Sequence, residues 1–181
     1  MIDDEKSFDD VWPEIFATLQ HLCWILNLRP SPSTGLLEPP SSDATTSNRS
    51  PTMIRASINT LPAMNYVAQI AFSISGLMKK TNELPAESVH LIIDALLNLS
   101  DDCQKVHQEG RDPSYFSICK FVELIIANLS RSDAFIQKVI NQLYKLSSQP
   151  YQLLREVSIS ALISITSTII VESGSSSLFT S

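Results

Sequence analysis

The sequence predicts an all-α fold: a HEAT/armadillo-like α-solenoid segment of about six helices in antiparallel hairpins. Three observations predict it. From Pro113 to Val171, three apolar-striped segments follow one another with short punctuation and no strand-like alternation between them. Four periodic segments open with a proline in or near the first turn (Pro13, Pro85, Pro113, Pro150), where the missing N–H costs nothing. Connections of roughly 2–8 residues between most segments favour antiparallel neighbours. Stripes with polar back faces find shelter only by lying against one another in layers, and stacked hairpins form a solenoid.

The first helix is expected over 10–27, capped by Asp9 or Asp10, with Phe16, Leu19, Cys23 and Leu26 on its buried face and Trp24 adding bulk near its end. After Arg29 the composition changes abruptly. Five prolines, Gly35 and many hydroxyl residues between 29 and 56 bury too little apolar area to offset ordering, so a flexible Pro/Ser-rich loop is expected there. A second helix spans about 57–80, its regular part beginning near Pro62. A third runs from Pro85 to about Asp102 on a stripe that includes Ile92 and Leu96, and a polar loop follows it. The fourth starts at Asp112 and Pro113 and buries Phe116, Cys119, Val122, Ile126 and Leu129. The fifth, capped by Ser132 or Asp133, shows Val139 and Leu143. The sixth opens at Pro150 and carries Val157, Ala161, Leu162 and Ile165. One helical-repeat domain over 8–171 results, with a disordered tail over 172–181. The polar positions Lys120, Glu123, Lys138, Gln142 and Lys145 read as solvated surface.

Composition narrows the function classes. A net charge of −6, with no basic cluster longer than Lys79-Lys80, argues against a nucleic-acid partner. Three scattered cysteines, Cys23, Cys103 and Cys119, read as reduced thiols that behave as small apolar residues. The stretch 157–171 is uncharged but carries six Ser or Thr residues, and falls short of the roughly 20 apolar residues of a membrane span. With four glycines in the chain, a phosphate-cradling loop is not expected.

No residue set specifies a reaction, a cofactor, a metal or a small-molecule substrate. Cys103 and His107, four apart, could share a helix face as metal ligands, but no second pair accompanies them, and a solvated helix end is the favoured reading. His21 and Cys23 point to different sides of their helix, and His90 reads as exposed. Arg155, early in the sixth helix, is the candidate for a polar contact between repeats. Its alternative is an exposed pair with Glu156.

Some residues resemble a known family. The run Leu19-Gln20-His21-Leu22-Cys23-Trp24-Ile25-Leu26, within a longer match over 17–31, resembles the Mon-two (monensin-sensitivity) family of Golgi and endosome scaffolds. So do Leu61-Pro62-Ala63-Met64-Asn65, the segment 88–96, the segment 113–120, and Arg155-Glu156 with Ala161-Leu162. The resemblance covers about 12–170, and its first block is the most specific. It implies a non-enzymatic scaffold segment in vesicle-mediated retrograde sorting, cytoplasmic and peripheral at the trans-Golgi network and endosomes, related to the large BIG/Sec-seven Arf exchange factors but without their catalytic domain. Implied partners are Dopey-type scaffold proteins, an aminophospholipid flippase and Arf-like GTPases, with membrane contact through them. Family members are many times longer, so an internal or C-terminal fragment is expected. Two alternatives stand beside this reading: a regulatory helical-repeat region of an Arf exchange factor, and an unrelated α-solenoid adaptor.

Overall fold

Each long striped segment is helical in the computed structural model, which describes residues 11–39, 61–110 and 113–178. The helices are α1 (Val11–Ile25), α2 (Leu61–Lys79), α3 (Ala86–Gln108), α4 (Phe116–Ala127), α5 (Ile136–Ser147) and α6 (Gln152–Leu178). Two 3-10 segments, Lys80–Glu83 and Leu129–Ala134, lead into α3 and α5. α3 continues past the expected end at Asp102, and α6 continues through part of the expected tail as far as Leu178. The caps expected from Asp9, Asp10 and Asp112 lie outside the described residues, as does the part of the expected loop beyond Pro39.

Packing sorts the helices into two layers. α1 lies on α3 and α3 on α5, while α2 lies on α4 and α4 on α6. The layers are joined by the hairpins α3/α4 and α5/α6. The expected first hairpin is different, because α1 and α2 pack mainly on the following helices and not on each other. What intervenes is a small antiparallel pair, β1 (Arg29–Pro30) with β2 (Leu37–Glu38), and α2 packs on β2. The predicted flexible loop therefore begins as ordered structure over 29–39.

The turn into that hairpin is dictated locally. Asn27 takes a left-handed φ of 53°, Leu28 N–H donates to the Cys23 carbonyl at 2.9 Å and Asn27 N–H to Trp24 at 3.1 Å. This paired bond pattern satisfies the last carbonyls of α1 and reverses the chain. Leu28 then enters the core.

The core runs unbroken between the layers. Phe16, Cys23, Ile92, Leu96, Phe116, Val122, Val139, Leu143, Ala161 and Ile165 are buried, and Leu19, Leu26, Val157 and Leu162 pack half-buried against them. Two expected core positions are corrected. Trp24 is 70% exposed, because it sits about 100° around the helix from buried Cys23, and its ring stacks on His21 instead. Ile126 is 41% exposed, because neighbours cover α4 only as far as Ile125.

Polar ties lock the layers at the helix ends. Arg131 donates to the Thr81 and Leu84 carbonyls, both at 2.6 Å, and to Asn128 Oδ1 at 2.7 and 2.9 Å. Buried Asn128 in turn donates to Thr81 Oγ1 at 2.7 Å. One guanidinium thus meets the Leu84 carbonyl and adds a second donor to the Thr81 carbonyl, which also accepts from Leu84 N–H at 3.1 Å. Arg155, expected to bridge repeats, donates to the Gln149 carbonyl at 3.1 Å and closes the turn of its own hairpin. A side chain in a first helical turn leans back toward the N-terminus, which here means the α5–α6 turn.

Gln142, also read as solvated, is buried and donates to Ser100 Oγ and Asp101 Oδ1, tying α5 to α3. Burial pushes the Asp101 carboxyl up, but hydrogen bonds from Lys145 and Gln142 outweigh it and hold the group below its ordinary value.

Arg131→Ala should lower stability by about 2–4 kcal/mol in urea unfolding, since it removes four hydrogen bonds, those to the Leu84 and Thr81 carbonyls and two to Asn128 Oδ1, from a partly buried site. Arg131→Lys should restore only part of this, because one ammonium cannot reproduce the fork.

Candidate functional site

Among the described residues, the buried charges Lys120 and Glu123 lie where the β1/β2 hairpin crosses α4. All ten residues from Phe116 to Ile125 are buried, including Lys120 and Glu123, which the sequence reading placed on a solvated face. The reason is position. α4 is the middle helix of its layer, flanked by α2 and α6 and backed by α3, and the hairpin closes the remaining side.

The closure is specific. Gly35 has φ of 75°, and a Cβ built there would lie 2.7 Å from Glu123 Cβ and 2.8 Å from both Glu123 N and the Cys119 carbonyl. Only glycine allows the hairpin to lie this close to α4 in this conformation. The fully buried Lys120 ammonium donates to the Gly35 carbonyl at 2.9 Å and to Glu123 Oε2 at 2.5 Å, and lies 5.7 Å from the centre of the Phe116 ring. Glu123 Oε1 is buried without a partner. Burial pushes the Glu123 carboxyl above its ordinary value, with the Lys120 charge pulling against it. A second tie holds the hairpin tip, since Ser164 Oγ on α6 donates to the Ser33 carbonyl at 2.5 Å. Within the hairpin, Ser31 N–H bonds the Leu36 carbonyl and Gly35 N–H bonds that of Ser31.

Beside the tip lies a shallow groove of about 400 Å³, lined by Ser33, Glu156, Ile159, Ser160, Ile163 and Ser164. The outer face of α6 continues it with exposed Ile163, Ile170 and Val171. By length and composition Gln152–Glu172 would suffice to cross a membrane, which corrects the shorter apolar run read from the sequence. In this fold the helix is docked on α4 and α5 through Leu154, Ser158, Ala161 and Ile165. On α2, Tyr66 and Phe72 are exposed, so large aromatic side chains do reach the surface.

The remaining candidates fall elsewhere and serve packing. Cys103 Sγ donates to the Ser114 carbonyl at 2.9 Å, and His107 Nε2 pairs with Tyr115 Oη at 3.0 Å while its ring stacks on Tyr151 at 4.5 Å. One turn apart, these two residues clamp the segment that opens α4, which replaces the solvated helix end expected there. Among the described residues no three His, Cys, Asp or Glu side chains gather as a metal site. His90 is half-buried and meets the Phe135 ring edge-on at 5.9 Å, in place of the expected exposure. Burial pushes the thiols of Cys103 and Cys119 up to about 12 and that of Cys23 to about 11, so none is poised as a nucleophile.

The sequence reading missed Lys120, Glu123, Gly35 and Arg131. Lys120 and Glu123 stand three apart in a helix that otherwise reads Phe-Ser-Ile-Cys-x-Phe-Val-x-Leu-Ile-Ile. With only two charges in so apolar a helix, burial as a pair was the available signal.

Comparison with known proteins adds what geometry does not supply. The chain is 29% identical over 155 residues to the human "Protein MON2 homolog", a match covering 85% of this chain. It is 27% identical over 151 residues to the Drosophila melanogaster "Protein MON2 homolog", covering 83%, and 28% identical over 160 residues to the Caenorhabditis elegans "Monensin-resistant homolog 2", covering 88%. These are similarities to MON2 relatives, each below 30% identity. Each match takes in only 8–9% of the MON2 relative's length, so the chain corresponds to a small part of those proteins. No family model and no solved structure matches the chain.

Removing either charge beneath the hairpin should be costly. Lys120→Met or Glu123→Leu alone should lower stability by about 3–5 kcal/mol, because the partner charge remains buried and uncompensated. The double change Lys120→Met with Glu123→Leu should recover most of that loss, and urea midpoints of the four proteins measure the coupling.

Proposed function

We propose that the chain is a non-enzymatic scaffold segment in Golgi–endosome vesicle-mediated transport, working by display of helix faces to protein partners. The observation that carries this reading is similarity to MON2 relatives across 83–88% of the chain, together with a two-layer helical stack. Stacked hairpins offer extended surface to partners. The residues with unusual environments here, Lys120, Glu123 and Arg131, are all engaged in holding that stack together. A cytoplasmic, peripheral location at the trans-Golgi network and endosomes belongs to the same reading. So do partners of the Dopey, flippase and Arf-like classes, with membrane contact through them.

Proximity labelling with the full-length protein in cells tests this directly. Enrichment of Golgi and endosomal proteins is the expected result, and recovery of importin cargo or tubulin in their place overturns it. In vitro, the purified chain should give a helical circular dichroism spectrum and bind no guanine nucleotide. Stoichiometric binding of GTP or GDP contradicts the scaffold reading.

A further inference from the structure

We propose that the outer face of α6 is a docking surface for an amphipathic helix of a partner protein, whose apolar seam lies along Ile159, Ile163 and Ile170 and whose cationic residue meets Glu156. The inference names the partner class for the protein-binding reading above and rests on it.

α6 is apolar on two opposite faces. Leu154, Ala161 and Ile165 are buried where it docks on α4 and α5. At about 100° per residue, Ile159, Ile163 and Ile170 lie roughly half a turn from that row. They are 46%, 60% and 69% exposed. No charge interrupts positions 157–171. Its hairpin mate α5 is built differently, with Gln137, Lys138, Asn141 and Lys145 among its outward positions. A surface helix sets a polar face opposite its buried stripe, whereas a helix that is apolar all round is a buried one. α6 therefore has a face for one more neighbour.

The spacing says what that neighbour is. Glu156, Ile159, Ile163, Thr166 and Ile170 are all exposed and follow one another in alternating three- and four-residue steps. This 3.5-residue period is the seam along which a second helix packs side by side. From Glu156 to Ile170 the row runs about 21 Å, or about four helical turns. The hairpin tip at Ser33, tied to Ser164, walls the groove that opens beside Ile159 and Ile163.

Charge selects the sign of the partner. Glu156 is the charged residue that lines the groove, and its Oε1 accepts from Gln152 Nε2 at 2.8 Å. Among the described residues no cation forms an ion pair with it, and the adjacent Arg155 is engaged by the Gln149 carbonyl. A Lys or Arg on the incoming helix complements this end of the seam. A second copy of the chain would bring another Glu156 and another net charge of −6 to an acidic surface. An anionic membrane is disfavoured in the same way, because the seam offers it no Lys or Arg.

The test uses the full chain and a fluorescein-labelled synthetic helical peptide, with leucines in alternating three- and four-residue steps and lysine at both ends. By fluorescence anisotropy it should bind saturably, and Ile163→Glu should weaken binding at least about tenfold. Ile163 is exposed, so the variant should keep its helical circular dichroism. The new carboxylate favours purely electrostatic attraction to lysine, so weakening reports the lost seam. The same peptide with glutamate in place of lysine should bind at least about fivefold more weakly. No saturable binding, equal affinity for Ile163→Glu, or preference for the glutamate peptide overturns the proposal.

Three further readouts separate the other occupants. The chain should sediment as a monomer, and a dimer that Ile163→Glu dissolves overturns the proposal in favour of a second copy. Flotation with phosphatidylcholine–phosphatidylserine vesicles that depends on Ile163 overturns it in favour of a membrane. In purified full-length protein, Ile163→Cys should react with a soluble maleimide within about tenfold of its rate in this chain. Stronger protection shows the seam covered by the same polypeptide and overturns the proposal. The peptide assay involves no cellular compartment, so its failure leaves the labelling result for the scaffold reading standing.

Discussion

Lys120 cannot be buried alone. Its ammonium lies at the centre of the second layer with no exposure, and it is tolerable there only because Glu123 and the Gly35 carbonyl meet it within 3 Å. Those two contacts bind three parts of the chain into one arrangement. Glu123 must stay three residues along an unbroken α4, the hairpin must cross at that height, and the residue at the crossing must be glycine. A shift of one residue in the hairpin would put a side chain against the α4 backbone and leave the ammonium without its carbonyl. Buried pairs of this kind are poor contributors to net stability, and their effect here is to select one register for the covering segment.

The same logic operates at the helix ends. A layer of stacked helices leaves open carbonyls wherever a helix stops, and the 3-10 extension after α2 stops against the end of α4. Arg131 reaches back across the layer to satisfy Thr81 and Leu84 together, and Asn128 is held between them. Both devices spend ionisable side chains on architecture. That is consistent with the scaffold role proposed above: the charged groups with unusual surroundings sit between helices, and the outward faces of α2 and α6 carry Tyr66, Phe72, Ile163 and Ile170.

Much of this was legible in the residues. The apolar periodicity located the six α-helices of the described residues, and prolines marked several of their starts, because both signals depend on the local geometry of one helix. The stripe of α5, with Val139, Leu143 and Leu146 buried, needed no knowledge of its neighbours. The errors share a different origin. Trp24 was placed inside because a large ring favours burial in general, yet its angle on α1 faces away from α3. Lys120, Glu123 and Gln142 were placed outside because charged and amide groups usually are, yet the helices carrying them have neighbours on those sides. Residues 29–39 were read as unable to order themselves. They remain unable to do so alone, and α4 supplies the surface on which they order.

The sequence by itself determined which segments are helical, roughly where they stop, and that they must shelter against one another, since periodicity, proline and capping act over a few residues. It also carried the blocks that resemble MON2 relatives. Only the tertiary structure decided which helix has no free side, which loop closes over it, and which charges are consumed in doing so. Those outcomes depend on contacts between residues 35 and 120, or 81 and 131, and no local pattern records a partner so distant along the chain.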